Sequence, residues 1–257
     1  MQIKLLLSIA LTAFAFYCFT AAFSQRHHPE NSAPKVTITA PAKNSKFQWN
    51  SIVPYSIRVL DLEDGNSGYN EIPPSEVLLM VRYLPDSSHV KEYLSDRSKA
   101  NPQPLLWMST STCFNCHAAK TKLIGPSFEL IARRYPDNPI SAETLANKII
   151  NGSSGTWGDV KMPPHPDLKI GQAREIVRWI LKNNSDPDQS YLAGTEGAFR
   201  TKEKPNIEPG KGVYILTASY TDHGMKQIQQ SPSDPSPTGI IRASRKQGQH
   251  TIVLKNY

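Results

Sequence analysis

Cysteine is scarce in this 257-residue chain, with three in all, at positions 18, 113 and 116. That scarcity excludes a disulfide-stapled scaffold. Long apolar runs are missing too, apart from one near the start. Met1–Gln25 places Lys4 ahead of about fifteen apolar residues and then small ones, the pattern of a secretory signal peptide over 1–24. The run is short for a bilayer, and polar sequence with proline (SQRHHPENSAP) follows at once, so no integral membrane segment is expected after cleavage. Lipidation at Cys18 is disfavoured by the bulky Tyr17 before it. Internal repeats and coiled-coil heptads are absent, which excludes solenoids and long helical rods.

Concentrated charge is also lacking. Cleavage after Ser24 removes Lys4 and takes the net charge from +7 to +6. Residues 25–104 hold nine basic and nine acidic side chains, residues 105–185 ten and six, and residues 186–257 nine and seven. A nucleic-acid arm would gather its lysines and arginines into a run, so no nucleic-acid partner is expected. The excess in the middle suits a mildly basic surface for docking a protein.

Residues 36–85 read as β structure. VTITAP (36–41), FQWN (47–50), VPYSIRVLD (53–61) and EVLLMVRYLP (76–85) are rich in Val, Ile, Tyr and Phe, with turn-formers such as Glu63-Asp64-Gly65-Asn66 and Pro73-Pro74 between them. Residues 86–104 are polar, broken by proline, and read as a linker. The pattern then turns helical. Phe128, Ile131 and Ala132 share a face behind Gly125-Pro126, and Ser141 can cap a second helix that carries Leu145 and Ile149 and stops at Asn151-Gly152. Ala173, Ile176, Val177, Ile180 and Leu181 form one stripe of a third helix, with Trp179 at its edge. Three short helices with long connections bury little alone, so something else must fill their centre.

Strands return after about residue 190, as GAFRT (197–201), GVYILTASYTD (212–222) and TIVLKNY (251–257), and SPSDPSPTG (231–239) reads as a polar loop. Four strands before the helices and three after make seven, the count an immunoglobulin-like sandwich needs. The expected organisation is multidomain: an all-α unit over 96–187, inserted between β-rich halves at 25–95 and 188–257 that complete one sandwich. Two separate β modules remain the alternative.

The strongest motif is Cys113-Phe114-Asn115-Cys116-His117. Two thiols at i and i+3 on the first turn of a helix can form thioether links to one haem, and the adjacent His117 then presents its imidazole to the iron. A thioredoxin-like pair would need a βαβ context, a zinc site would need further ligands at zinc spacing, and a plain disulfide would leave His117 without a role. A second axial ligand must come from Met80, Met108, Met162 or Met225. Met108 lies five residues before Cys113, Met80 sits in an expected strand and Met225 in a polar tail. Met162, in Lys161-Met162-Pro163-Pro164, stands in an irregular loop where the diproline can hold a thioether still, and is the expected ligand. With iron bound by His117 and Met162 no open position is left, and the expected activity is electron transfer rather than catalysis.

Over residues 113–182 the chain resembles a small bacterial class I cytochrome c. CFNCH, KLIGPSF (122–128), NGSSGTWG (151–158), MPPHP (162–166) and IVRWI (176–180) occur in order. The resemblance implies an all-α fold round one haem c held by Cys113 and Cys116, with the Pro126 carbonyl accepting the Nδ1 proton of His117 and Trp157 donating its indole N–H to a haem propionate. One departure is His165, three residues after Met162, where similar proteins often carry an amide. It could donate to the Met162 sulfur, compete for the iron, or simply face solvent.

YSIRVLDLEDG (55–65) and YILTASYTDHG (214–224) resemble the Ig-like modules that accompany cytochrome c segments fused to quinoprotein sugar dehydrogenase or trehalose-utilisation type domains. The resemblance implies an electron-acceptor role beside a sugar-oxidising enzyme, and since no dehydrogenase-sized segment is present that redox partner is expected to be a separate dehydrogenase; a respiratory acceptor is expected beyond it, and the expected leader points to a periplasmic or secreted location. The acidic turn Asp61, Glu63, Asp64 is open to calcium or to plain solvation. A haem-bearing adaptor of an envelope complex, and a sensor or peroxidase with an open iron, are the competing functions.

Overall fold

The computed structural model describes residues 30–96, 102–183, 186–206, 211–231, 234–242 and 244–256; the expected leader and Cys18 lie outside these. Strands β1 (Lys35–Ala40), β2 (Ile52–Asp61), β3 (Gly65–Asn66) and β4 (Leu78–Leu84) come first. Helices α1 (Val90–Ser95), α2 (Gln103–Thr110), α3 (Phe128–Arg134), α4 (Pro139–Asn151) and α5 (Ile170–Asn183) come next. The chain returns to β structure in β5 (Gln189–Ala193), β6 (Glu196–Arg200), β7 (Val213–Thr221), β8 (Lys226–Ser231), β9 (Asp234–Arg242) and β10 (Gln247–Lys255).

Each of the two larger sheets draws strands from both sides of the helical segment. In the first, β2 pairs with β1, β3 and, through Ile52–Ser56, with β6. In the second the order is β10-β7-β4-β5, antiparallel throughout. Val36, Ile57 and Val59 from the first sheet meet Leu79, Val81, Leu216 and Ile252 from the second in one core. Alternation along β4 then sends Leu78 and Met80 to the opposite face, against the helices. The second sheet is therefore covered on both faces. That is why LLMVRYL reads as a continuous apolar run instead of an alternating one.

The helices begin where local chemistry lets them. Ser127 Oγ accepts the Leu130 N–H at 3.2 Å and caps α3, which carries Glu129 in its first turn and Arg133 and Arg134 in its last. For α4 the cap is Asn138 and not Ser141: its Oδ1 accepts the Ser141 N–H at 2.8 Å, and Pro139 takes the first helical position, which needs no N–H. The stripe expected on α5 is buried as Ala173, Ile176, Val177, Ile180 and Leu181, with Trp179 buried beside it.

Several segments differ from their sequence reading. FQWN (47–50) is not a strand; Lys46 alone bridges to Lys255, while Phe47 is buried edge-on against Tyr214. The linker over 86–104 contains α1 and the start of α2, held down by Tyr93 and Leu105. Within the expected loop SPSDPSPTG (231–239), Ser231 and Asp234–Gly239 are strand residues of the β8–β9 hairpin, whose register shifts at Gln229/Gln230 and Gln230/Ser231, while 232 and 233 lie outside the described residues. Proline, lacking an N–H, is tolerated where a ladder slips in this way. The short β5 is an addition to the expected strands. The acidic turn is used inside the fold: Asp61 Oδ1 accepts the Glu63 and Asp64 N–H groups, and Asp64 Oδ2 accepts the Tyr220 hydroxyl. Among the described residues no cluster of three side chains is arranged to hold a metal ion.

His223, just beyond β7, sits between two carboxylates, with Nδ1 3.1 Å from Asp64 Oδ2 and Nε2 3.1 Å from Glu76 Oε2. Glu76, against the cost of burial and with help from Asp64, pushes the imidazole pKa up to about 9. A raised folded-state pKa stabilises the fold fully below the free-histidine value, and that contribution disappears as pH climbs through about 9. The thermal midpoint is therefore expected to fall between about pH 6.5 and 9. In His223→Ala, melting curves across that range should lose this slope.

Candidate functional site

The Cys-x-x-Cys-His segment is joined to α2 through Thr112, which turns the chain with a left-handed φ of 58°. Cys113–Asn115 form one 3-10 turn, tighter than the first turn of a helix expected there. The Cys116 and His117 N–H groups both donate to Cys113 O, at 3.2 and 3.0 Å. Both thiols are free and half-buried. Burial, aided by Asp167, pushes Cys113 up to about 12, so the sulfur is an uncharged thiol at neutral pH.

Pro126, Phe128 and Gly125 together fix His117. The imidazole Nδ1 lies 2.7 Å from Pro126 O, and because a carbonyl can only accept, the proton sits on Nδ1 and the lone pair on Nε2. Burial lowers the imidazole pKa, which keeps that lone pair available. The Phe128 ring stacks on the imidazole at 5.3 Å and 27°. Gly125 also lies against it: a Cβ there would stand 2.5 Å from His117 Cε1. Backbone bonds from Gly125 to Cys116 and from Phe128 to Ala118 close the loop between the motif and α3.

Met162 is held by a small closed loop. Ser153 and Met162 exchange both backbone hydrogen bonds, at 3.1 and 2.8 Å, and Gly155 N–H donates to Gly158 O inside the loop. Gly152 starts it with φ of 77°, and its missing side chain leaves room for Met162 O, 2.8 Å from where a Cβ would be. After Pro163 and Pro164, the His165 N–H donates to Ile149 O at the end of α4. His165 is buried, at 9 % exposure, which rules out the solvent-facing reading.

These pieces meet in one cavity of about 330 Å³. Cys113, Cys116, His117 and Met162 all line it, together with Pro126, Trp157 and His165. Much of the remaining wall is apolar, contributed by Phe128, Ile131, Leu145, Ile149 and Val177. Two thiols, an imidazole with a free lone pair, a thioether and a largely apolar enclosure fit a covalently bound haem. At the Trp157 end stand Lys148, whose Nζ lies 3.1 Å from Thr156 Oγ1, and Arg134, whose guanidinium lies 4.7 Å over the Trp157 ring. This end suits carboxylates. In the sequence Lys148 is only one polar residue of an amphipathic helix, and its spacing from Trp157 is the sole clue to its place here. Met108, set aside as a ligand, is fully buried and also contributes to the wall. Met80 lies in the core between sheet and helices.

No protein-family profile matches the chain. It is 41% identical over 71 residues to cytochrome c-552 of Nitrosomonas europaea, covering 28% of this chain and 69% of that protein. It is 42% identical over 72 residues to cytochrome c-551 of Azotobacter vinelandii, covering 28% of this chain and 87% of that protein. The crystal structure of wild-type Nitrosomonas europaea cytochrome c552 aligns with 39% identity over 29% of this chain and 93% of that one, with a TM-score of 0.28.

Gly152→Ala should lower stability by more than about 1 kcal/mol, since alanine meets both an unfavourable φ and the Met162 carbonyl. Gly125→Ala should be destabilising as well, because the imidazole must move. Denaturant midpoints of the two variants against the wild type check both.

Proposed function

The chain belongs to the cytochrome c-551/c-552 family, and from that premise we propose that it is a periplasmic single-electron carrier whose haem iron is bound by His117 and Met162. The cofactor is haem c, and Cys113 and Cys116 fit the class I attachment motif. Bound there, it supplies reversible one-electron chemistry between ferric and ferrous iron. The observation that carries the reading is the convergence of Cys113, Cys116, His117 and Met162 on one apolar cavity.

The chain's own residues do the rest. The Pro126 carbonyl holds the His117 proton on Nδ1 and so leaves the Nε2 lone pair free, which would bind the iron. The Ser153–Met162 bridge and the two prolines hold the segment that carries the thioether, which as a ligand would favour ferrous iron and raise the potential relative to a second histidine. Trp157 and Lys148, which both line the cavity, would receive the propionates. The largely apolar walls would keep water from a bound haem, so that little would reorganise when its charge changes.

Electrons would leave and enter where the cavity reaches the surface. Exposed Ile124 and Val160 form an apolar rim there, with exposed Leu123, Lys120, Lys122 and Lys161 close by in sequence. Such an edge suits an acidic protein partner, a sugar or other periplasmic dehydrogenase on one side and a respiratory acceptor on the other. The haem unit is the segment 96–187. The flanking segments 25–95 and 188–257 are read as one Ig-like sandwich, a reading supported by the β2–β6, β4–β5 and β4–β7 pairings. Among the described residues no helix is long and apolar enough to cross a membrane.

Protein matured with haem should give sharp reduced bands, a weak methionine-to-iron band when oxidised, and no response of the reduced form to carbon monoxide. Met162→Ala is expected to lose the weak band and to bind carbon monoxide. Rapid carbon monoxide binding by the wild type would overturn electron transfer through a closed iron and favour a sensor or peroxidase.

A further inference from the structure

The wall behind His117 is not made by the helical segment alone. Phe128, whose ring stacks on the imidazole, is itself flanked by Phe114 at 5.9 Å and by Tyr191 at 6.1 Å. Tyr191 belongs to β5, on the far side of the helices in sequence and in the sheet shared with the sandwich. It is 4 % exposed, the one fully buried residue of its strand. Its ring also meets Phe114 at 6.0 Å and Trp179 of α5 at 5.1 Å. In register beside it stands Met80 of β4, buried against the same helices. The next residue along, Leu192, packs instead into the core between the two sheets.

Two rings thus separate the histidine from a strand backbone locked in a four-stranded sheet. Phe128 cannot tilt without displacing Tyr191 or Phe114, and the imidazole cannot turn freely while Phe128 stays in place. We propose that Tyr191 is a positioning residue for the haem histidine: through Phe128 it fixes the plane of His117, so that the β unit helps to set the electronic state of the iron. The proposal rests on His117 being the iron ligand. The orientation of an axial imidazole and the dryness of the wall behind it are both levers on a haem's reduction potential.

The test uses the full-length haem-loaded protein and reads the hyperfine-shifted haem methyl resonances of the oxidised form, which report the imidazole plane, together with the midpoint potential. Tyr191→Leu removes the ring and keeps an apolar side chain; the methyl pattern should change and the potential fall as the wall loosens and admits water. Tyr191→Phe keeps the ring and should restore both readings to wild-type values. Leu192→Ala removes apolar volume from the same strand on the opposite face and should lower the melting temperature while leaving both readings alone. Should Tyr191→Leu not fold, Tyr191→Met, which keeps more of the side-chain length, is read the same way. A ring-less variant with the wild-type methyl pattern and potential, whatever its stability, overturns the proposal and makes Tyr191 core filling only. Selective ¹⁵N-histidine labelling of the wild type keeps the two readings apart: no hyperfine-shifted imidazole nitrogen would overturn His117 ligation and the proposal with it, whereas its presence beside an unresponsive ring-less variant would overturn the proposal alone.

Discussion

Burial of the second sheet on both faces is the constraint on which the rest of the architecture depends. Along β4, Leu79 and Val81 point into the sandwich while Leu78 and Met80 point at the helices, so one strand belongs to two cores. The same holds for β7, whose Ile215 packs with Tyr93 of α1 while Leu216 and Ala218 face the sandwich. A strand wetted on one side could have polar residues at every second place. Here each register position has a packing duty, and a slip of one residue would exchange the two cores. The helices need this surface. With seven or eight residues in α2 and α3, neither could bury enough apolar area on its own.

Within the helical segment, four consecutive residues hold the site. Gly125 leaves space for the imidazole, Pro126 accepts its proton, Ser127 caps α3 and Phe128 stacks on the ring. The residue that caps the helix therefore directly follows the one whose carbonyl holds the histidine. On the opposite wall, Gly152 and the Ser153–Met162 bridge do the same for the thioether, where backbone hydrogen bonds, not side-chain packing, define the position. Both candidate ligands thus owe part of their position to main-chain geometry, which tolerates little drift.

Much of this is legible in the sequence because it is local. CFNCH carries its spacing in five letters, the α5 stripe carries its period, and Met162 stands apart from other methionines through its two prolines. What is not legible is non-local or ambiguous. Nothing in QSYLA marks Tyr191 as the neighbour of Phe128, since the strand is five residues long and its partner lies more than a hundred residues earlier. Ser141 reads as the cap of α4 in place of Asn138 because both are good caps and only the adjoining Pro139 favours the asparagine. Pro235 and Pro237 speak for a loop, and the register shifts that let them join a hairpin leave no trace in composition.

The pairing of Arg82 with Gln189 means that the helical segment leaves the sheet and re-enters it on adjacent strands. About a hundred residues are thereby held as a closed loop, whose ends are joined by the ladder. Closing a flexible loop of that length costs about 4 kcal/mol beyond a constant, from the logarithmic dependence on length. Once the sheet has formed, that entropy has already been lost, and the segment has fewer extended states left to explore. The thiols, the imidazole and the thioether are then confined to a small volume ahead of any bond to the porphyrin. The sandwich acts as a clasp that raises their effective concentration.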